Sequence, residues 1–110
     1  MHAYAAVFAF RCRVAGERFH VYGKPNQIGF ARLGIVVSKH IMPRAVDRNY
    51  YKRLVREVFR QERGLLGGFD FVVRPSSKMF SPPAARAELR ELLLGALRKC
   101  GGRNPAVDYG

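Results

Sequence analysis

The order of hydrophobic periods along the chain predicts a single α+β domain with about three helices around a central sheet. Two long segments carry apolar residues at helical spacing, and short β-rich runs are bounded by glycine and proline. Neither an internal repeat nor a linker-like stretch divides the chain. At 48% hydrophobic and 12% aromatic, the 110 residues can fill one core and are too apolar for a disordered basic tail.

The elements follow in the order helix, strand, strand, helix, strand, helix. From Ala3 to Cys12, Tyr4, Val7 and Phe8 fall at i, i+3 and i+4, one face of a short helix that Gly16 stops. Phe19 to Tyr22 reads as a strand, with Phe19 and Val21 on one face and His20 and Tyr22 on the other. Gly23, Pro25, Asn26 and Gly29 supply turn chemistry before Leu33 to Val37, a short apolar run suited to a central strand. Pro43 interrupts that run's continuation, and Arg44 to Arg63 then has helical character up to Gly64. Phe69 to Arg74 is a further strand closed by Pro75. Ser81 followed by Pro82 reads as an N-cap with proline at the first helical position. Ala85, Leu89, Leu92, Leu93, Ala96 and Leu97 then form the apolar stripe of a last helix, which Gly101 and Gly102 end.

Charge narrows the function classes. Twenty Lys and Arg stand against eight Asp and Glu, a formal charge of +12 that favours a polyanionic partner. No run reaches the roughly 18 apolar residues of a membrane span, and the N-terminus lacks signal-peptide order, so a soluble cytoplasmic protein is expected. Cys12 and Cys100 form no C-x-x-C pair, and each lies in a stretch read as helical. Two isolated cysteines make neither a disulfide framework nor a zinc site, so two buried, reduced thiols are expected. His2, His20 and His40 are scattered, and the carboxylates lie beside basic residues or at element ends rather than converging on one pocket. No metal site and no catalytic residue is expected in the protein itself.

A helical wheel divides Arg44 to Arg63 into two arcs. Tyr50, Tyr51, Leu54, Val55, Val58 and Phe59 share one, while Arg48, Asn49, Lys52, Arg53, Arg56, Arg60 and Arg63 share the other. Glu57 and Glu62 are too few to neutralise that face, which leaves an exposed stripe of one sign. Arginine grips phosphate in two places and stacks on bases. A membrane surface would instead require the apolar arc to be free, whereas the sheet needs it. Nucleic acid is therefore the better partner. Arg32 to Arg63 carries nine cations and three acids, half of the net charge. Tyr4, Phe8, Phe19 and Tyr22 admit two readings, core packing or a stacking surface for unpaired bases. Phe19 fits the core more easily, and Tyr22, with its polar tip on the alternate face, is the better contact candidate.

The segment Arg32-Leu-Gly-Ile-Val-Val-Ser-Lys39 followed by Ala45-Val-Asp-Arg-Asn-Tyr-Tyr-Lys-Arg-Leu-Val-Arg-Glu57 resembles the signature of the bacterial ribonuclease P protein subunit. The likeness joins an R-x-G-x-x-V-S-K strand to a helix with the R-N-x-x-K-R-x-x-R-E pattern and extends from Tyr4 to about Cys100. Tyr50 departs from it, standing where arginine is usual, as does His40, where a second lysine is common. The stretch before the first helix is shorter than the basic segment usual in the family.

The resemblance implies a single domain over 1–110, with an ordered core at about 3–100 and a flexible tail over 101–110. Its fold would be an α/β sandwich of the ribosomal protein S5 domain 2-like kind, a mostly antiparallel sheet with a left-handed βαβ crossover, opposite to the general rule. It implies a subunit of a ribonucleoprotein endonuclease whose RNA holds the catalytic Mg2+ and removes the 5′ leader of precursor tRNA. The partners implied are the ribonuclease P RNA subunit and that leader. Carried onto this chain, Arg32, Ser38, Lys39, Arg44, Arg48, Asn49, Lys52, Arg53, Arg56 and Arg60 are the RNA-binding candidates, and Tyr4, Phe8 and Tyr22 are the leader-cleft candidates. Two other classes compete: a noncatalytic ribosomal or structured-RNA binding protein, and a self-sufficient nuclease, which the scattered carboxylates disfavour.

Overall fold

The structure is a computed structural model in which residues 4–76 and 82–101 are described. Its elements are α1 (Tyr4–Phe10), β1 (Arg13–Ala15), β2 (Phe19–Pro25), β3 (Arg32–Ile35), α2 (Ala45–Glu62), β4 (Phe69–Pro75) and α3 (Pro82–Gly101). A single 3-10 turn, Arg63–Leu65, extends the end of α2.

The strands form one sheet in the order β1-β2-β4-β3. β1 with β2 and β2 with β4 are antiparallel, while β3 and β4 are parallel. Parallel neighbours need a crossover, and α2 lies between them in sequence, so β3-α2-β4 is the expected βαβ unit. β4 is central and almost wholly buried.

Alternation along β2 divides the layers. Phe19, Val21 and Gly23 are buried on one face, with His20, Tyr22 and Lys24 half-buried on the other. The first face receives α2 and α3: Phe19 stacks on Tyr51 with ring centroids 5.7 Å apart, and Phe59 meets Phe71 edge-on at 6.4 Å. From α3, Leu89, Leu93 and Ala96 are fully buried in the same core. Helix α1 covers part of the second face, where the Phe8 and Tyr22 rings meet edge-on at 4.7 Å.

Four local readings are corrected. The first helix stops at Phe10 rather than Cys12, because Arg11 enters the left-handed region at φ 59°. β1 was not anticipated, since three residues are too few to display a period. β3 ends at Ile35 rather than Val37, although the Val36 amide still donates to the Val73 carbonyl at 3.0 Å. The cysteines are not two separate reduced thiols: Cys12 and Cys100 form a disulfide that ties the corner between α1 and β1 to the last turn of α3. They are 88 residues apart, a pairing produced by the return of α3 over β2, and Cys12 lies outside any helix.

Gly101 belongs to α3 rather than to a tail. The remainder of the expected tail, 102–110, and the Ser81 cap lie outside the described residues.

Candidate nucleic-acid interface

Helix α2 buries Tyr51, Leu54, Val55, Val58 and Phe59 against the sheet, the apolar arc expected of it except for Tyr50. Tyr50 is instead 47% exposed, because it sits at the margin of the arc beside Arg53 and Arg86 rather than over the sheet. The opposite side exposes Asn49, Arg53, Arg56 and Arg60, with Lys52 half-buried.

Two acids of α2 are held by α3. Glu57 accepts from Arg86 at 2.8 Å and Glu62 pairs with Arg90 at 3.3 Å, both on α3. Among the described residues, Arg53, Arg56, Arg60 and Arg63 take part in no ion pair. Together with Asn49, Phe59 and Glu57, whose carboxylate is paired with Arg86, they line a groove of about 830 Å³ that runs between α2 and Leu33 of β3. Four forked cations in one open groove suit a chain of phosphates.

Other candidates do different work. Arg32 clasps Asp70 in the sheet, and Asn26 donates to the same carboxylate at 2.9 Å. Burial alone would raise the Asp70 pKa, but the hydrogen bonds from Arg32 and Asn26 and the charges of Arg32 and Lys24 hold it below its ordinary value. Arg48 donates from Nη1 to the carbonyls of Met42 and Pro43, both at 2.8 Å, which fixes the loop entering α2. In that loop the Ser38 hydroxyl accepts from the Ile41 amide at 3.2 Å, leaving Lys39 exposed. Arg44 is exposed at the N-cap, 3.9 Å from Asp47.

Phe8 and Tyr22 lie on the other side of the sheet. Phe8 and Tyr22 are in contact, and Tyr4 opens α1 four residues before Phe8. Phe19 takes the core reading, fully buried against Tyr51. Two neighbours escaped the sequence reading. The Arg74 guanidinium lies 5.9 Å from the Tyr22 ring centroid, and His20 opposes Arg74 in the β2–β4 register. The only sequence signal for them was the shared face of His20 and Tyr22.

Among the described residues, no group of three or more His, Cys, Asp or Glu could hold a metal ion. No helix there is long and apolar enough to cross a membrane.

Comparison with known proteins gives a consistent result. The profile of the family described as Ribonuclease P matches residues 1–100. The ribonuclease P protein component of Aromatoleum aromaticum is 48% identical over 71 residues, 64% of this chain and 60% of that protein. That of Chromobacterium violaceum is 38% identical over 98 residues, 88% of this chain and 81% of its own length. Among solved structures, the ribonuclease P protein of Thermotoga maritima superposes with a TM-score of 0.71 at 33% identity, covering 88% of this chain and 90% of that one. With the arginine groove and the α+β sheet already in place, the profile match over residues 1–100 establishes that the chain belongs to the ribonuclease P protein family.

Proposed function

We propose that this protein binds the catalytic RNA of ribonuclease P through the α2 groove and the 5′ leader of precursor tRNA through the cleft at Phe8 and Tyr22. Removal of the leader then yields the mature 5′ end. The reading rests on one observation: four arginines that take part in no ion pair among the described residues share a groove on α2, while Glu57 and Glu62 of that helix pair with α3. Such a groove offsets phosphate repulsion that dissolved cations would otherwise have to screen.

The cleft is the natural place for a single strand, because an aromatic surface flanked by a cation stacks unpaired bases with little regard to sequence. Magnesium ions held by the RNA supply the hydrolytic chemistry, and the protein's part is to bind and orient. Reconstitution of the full chain with ribonuclease P RNA tests the proposal. Cleavage of precursor tRNA is expected at a magnesium concentration where the RNA alone is inactive, and no gain on adding the protein refutes it. If the protein binds precursor and mature tRNA equally in the presence of the RNA subunit, it is a structured-RNA binder without a leader site.

A further inference from the structure

The cleft face of the sheet holds an ionisable group that the aromatic contacts do not use. His20 lies on β2 directly opposite Arg74 on β4, so the two side chains leave the sheet on the same face. They line a recess of about 330 Å³ together with Ser38, Ile41 and Ser76. Arg74 links this recess to the aromatic surface, since its guanidinium also approaches the Tyr22 ring.

Among the described residues, the charges acting on His20 are of one sign. From β1, its register partner Ala15 is small, and Arg13 lies two positions along. From β4 comes Arg74, and the recess residues of the loop after β3, Val36, Ser38 and Ile41, are uncharged. The Ser76 hydroxyl donates to the carbonyls of Gly16 and Glu17. Among the described residues no carboxylate lines the recess, and the buried Nδ1 of His20 has no hydrogen-bond partner. Burial, then the charges of Arg13 and Arg74, lower the His20 pKa and keep the imidazole neutral near pH 7 in the free protein.

An anion in the recess reverses this balance. It screens the two guanidiniums and gives a proton on His20 a counter-charge, so binding and protonation favour each other. We infer that a phosphodiester of single-stranded RNA is held between His20 and Arg74 and that its binding is coupled to uptake of one proton by His20. The inference rests on the reading that the cleft receives the leader and adds to it a phosphate subsite whose strength depends on pH.

The test uses the full chain assembled with ribonuclease P RNA and measures the affinity ratio of precursor to mature tRNA from pH 7.5 to 5.5 at fixed ionic strength. One linked proton limits the change to about tenfold per pH unit, and a rise of about three- to tenfold across the range is expected. The slope should vanish in His20→Gln and persist in His40→Gln. An equal slope in wild type and His20→Gln overturns the inference. Because His20→Gln could disturb the sheet, a second readout uses wild-type protein alone. The His20 ring resonances are titrated by NMR with and without a short single-stranded oligoribonucleotide, and saturating RNA should raise the His20 pKa. An unchanged value also overturns the inference. Absence of any precursor preference at every pH refutes the leader reading itself, whereas a pH-independent preference refutes only the proton coupling.

Discussion

Arg32 and Asp70 form a two-pronged ion pair across the parallel strands β3 and β4, with Nε donating to Oδ1 at 2.8 Å and Nη2 to Oδ2 at 2.7 Å. The two residues are also register partners, so the pair fixes the alignment on which the βαβ unit depends. Asp70 is almost fully buried, and its carboxylate receives a third hydrogen bond from Asn26. Arg32 therefore serves the sheet first, and only the outer part of its guanidinium is left exposed.

Asp70→Asn is expected to lower unfolding stability by about 1.5–3 kcal/mol, the usual worth of hydrogen bonds to a charged group. The pH dependence has a definite sign. The folded carboxyl titrates below its ordinary value, so its contribution is full above about pH 4 and is lost as pH falls through the folded value. Urea unfolding should show wild type losing stability below pH 4 while Asp70→Asn changes less. Parallel acid limbs would show that another carboxylate governs acid unfolding.

On α2, Arg53→Ala and Arg56→Ala should weaken binding to the RNA subunit while shifting stability by about 0.5 kcal/mol or less, because both side chains are exposed. Each arginine that meets a phosphate contributes about one unit to the slope of log affinity against log salt. Salt titrations of the single variants should therefore be shallower than wild type. Arg48→Ala is the contrasting case, since its guanidinium holds the Met42 and Pro43 carbonyls. It should lose stability as well as binding, and comparison of thermal melts with RNA titrations separates the two roles.

What the sequence disclosed follows from the range of the interactions involved. Helix α2 was legible because its 18 residues repeat one pattern, and the same wheel located Asn49, Arg53, Arg56 and Arg60 on the groove side. The internal duties of Arg32 and the Cys12–Cys100 bond depend on partners 38 and 88 residues away, which no local period encodes. His20 and Arg74 became neighbours through strand register, also a property of the assembled sheet. Tyr50 was misassigned because a wheel gives angle alone, and the sheet does not reach the edge of the apolar arc.

At the cleft, Tyr22→Ala removes the ring that meets both Phe8 and Arg74. Stacking of one base on an aromatic side chain is worth about 1–3 kcal/mol, so the preference for precursor over mature tRNA should fall about 5- to 150-fold. Tyr22→Phe keeps the ring and should retain most of that preference. If Tyr22→Ala leaves the affinity ratio unchanged while lowering the melting temperature, the ring belongs to packing between α1 and the sheet. Binding titrations with the two tRNAs decide between these outcomes.

The Cys12–Cys100 bond closes nearly the whole described chain into one loop. Loop-closure entropy for a span of this length corresponds to about 3–5 kcal/mol of stabilisation. Full reduction, or Cys12→Ser with Cys100→Ser, should lower the free energy of unfolding by that amount. The same variant frees the corner between α1 and β1, so leader preference should fall more than affinity for the RNA subunit. Unfolding curves with and without reductant, alongside thiol counting under denaturing conditions, test the first expectation, and paired titrations test the second.

Glu88 on α3 holds the start of β2 by accepting from the Arg18 amide at 2.7 Å, the Phe19 amide at 3.1 Å and Arg18 Nη1 at 2.9 Å. Glu88→Ala leaves those amides without their acceptor and should cost about 2–3 kcal/mol. Gly16 belongs to the same arrangement, since a Cβ there would lie 2.6 Å from Glu88 Oε2 and 2.8 Å from Leu92 Cδ1. Gly16→Ala must displace a carboxylate fixed by three hydrogen bonds, so it should destabilise largely by breaking them. Once Glu88 is alanine, the added methyl group meets less resistance, and the double variant should be more stable than the sum of the single effects implies. Urea midpoints for the four members of this cycle measure the coupling. Additive effects would mean that Gly16 is required by Leu92 or by the backbone instead.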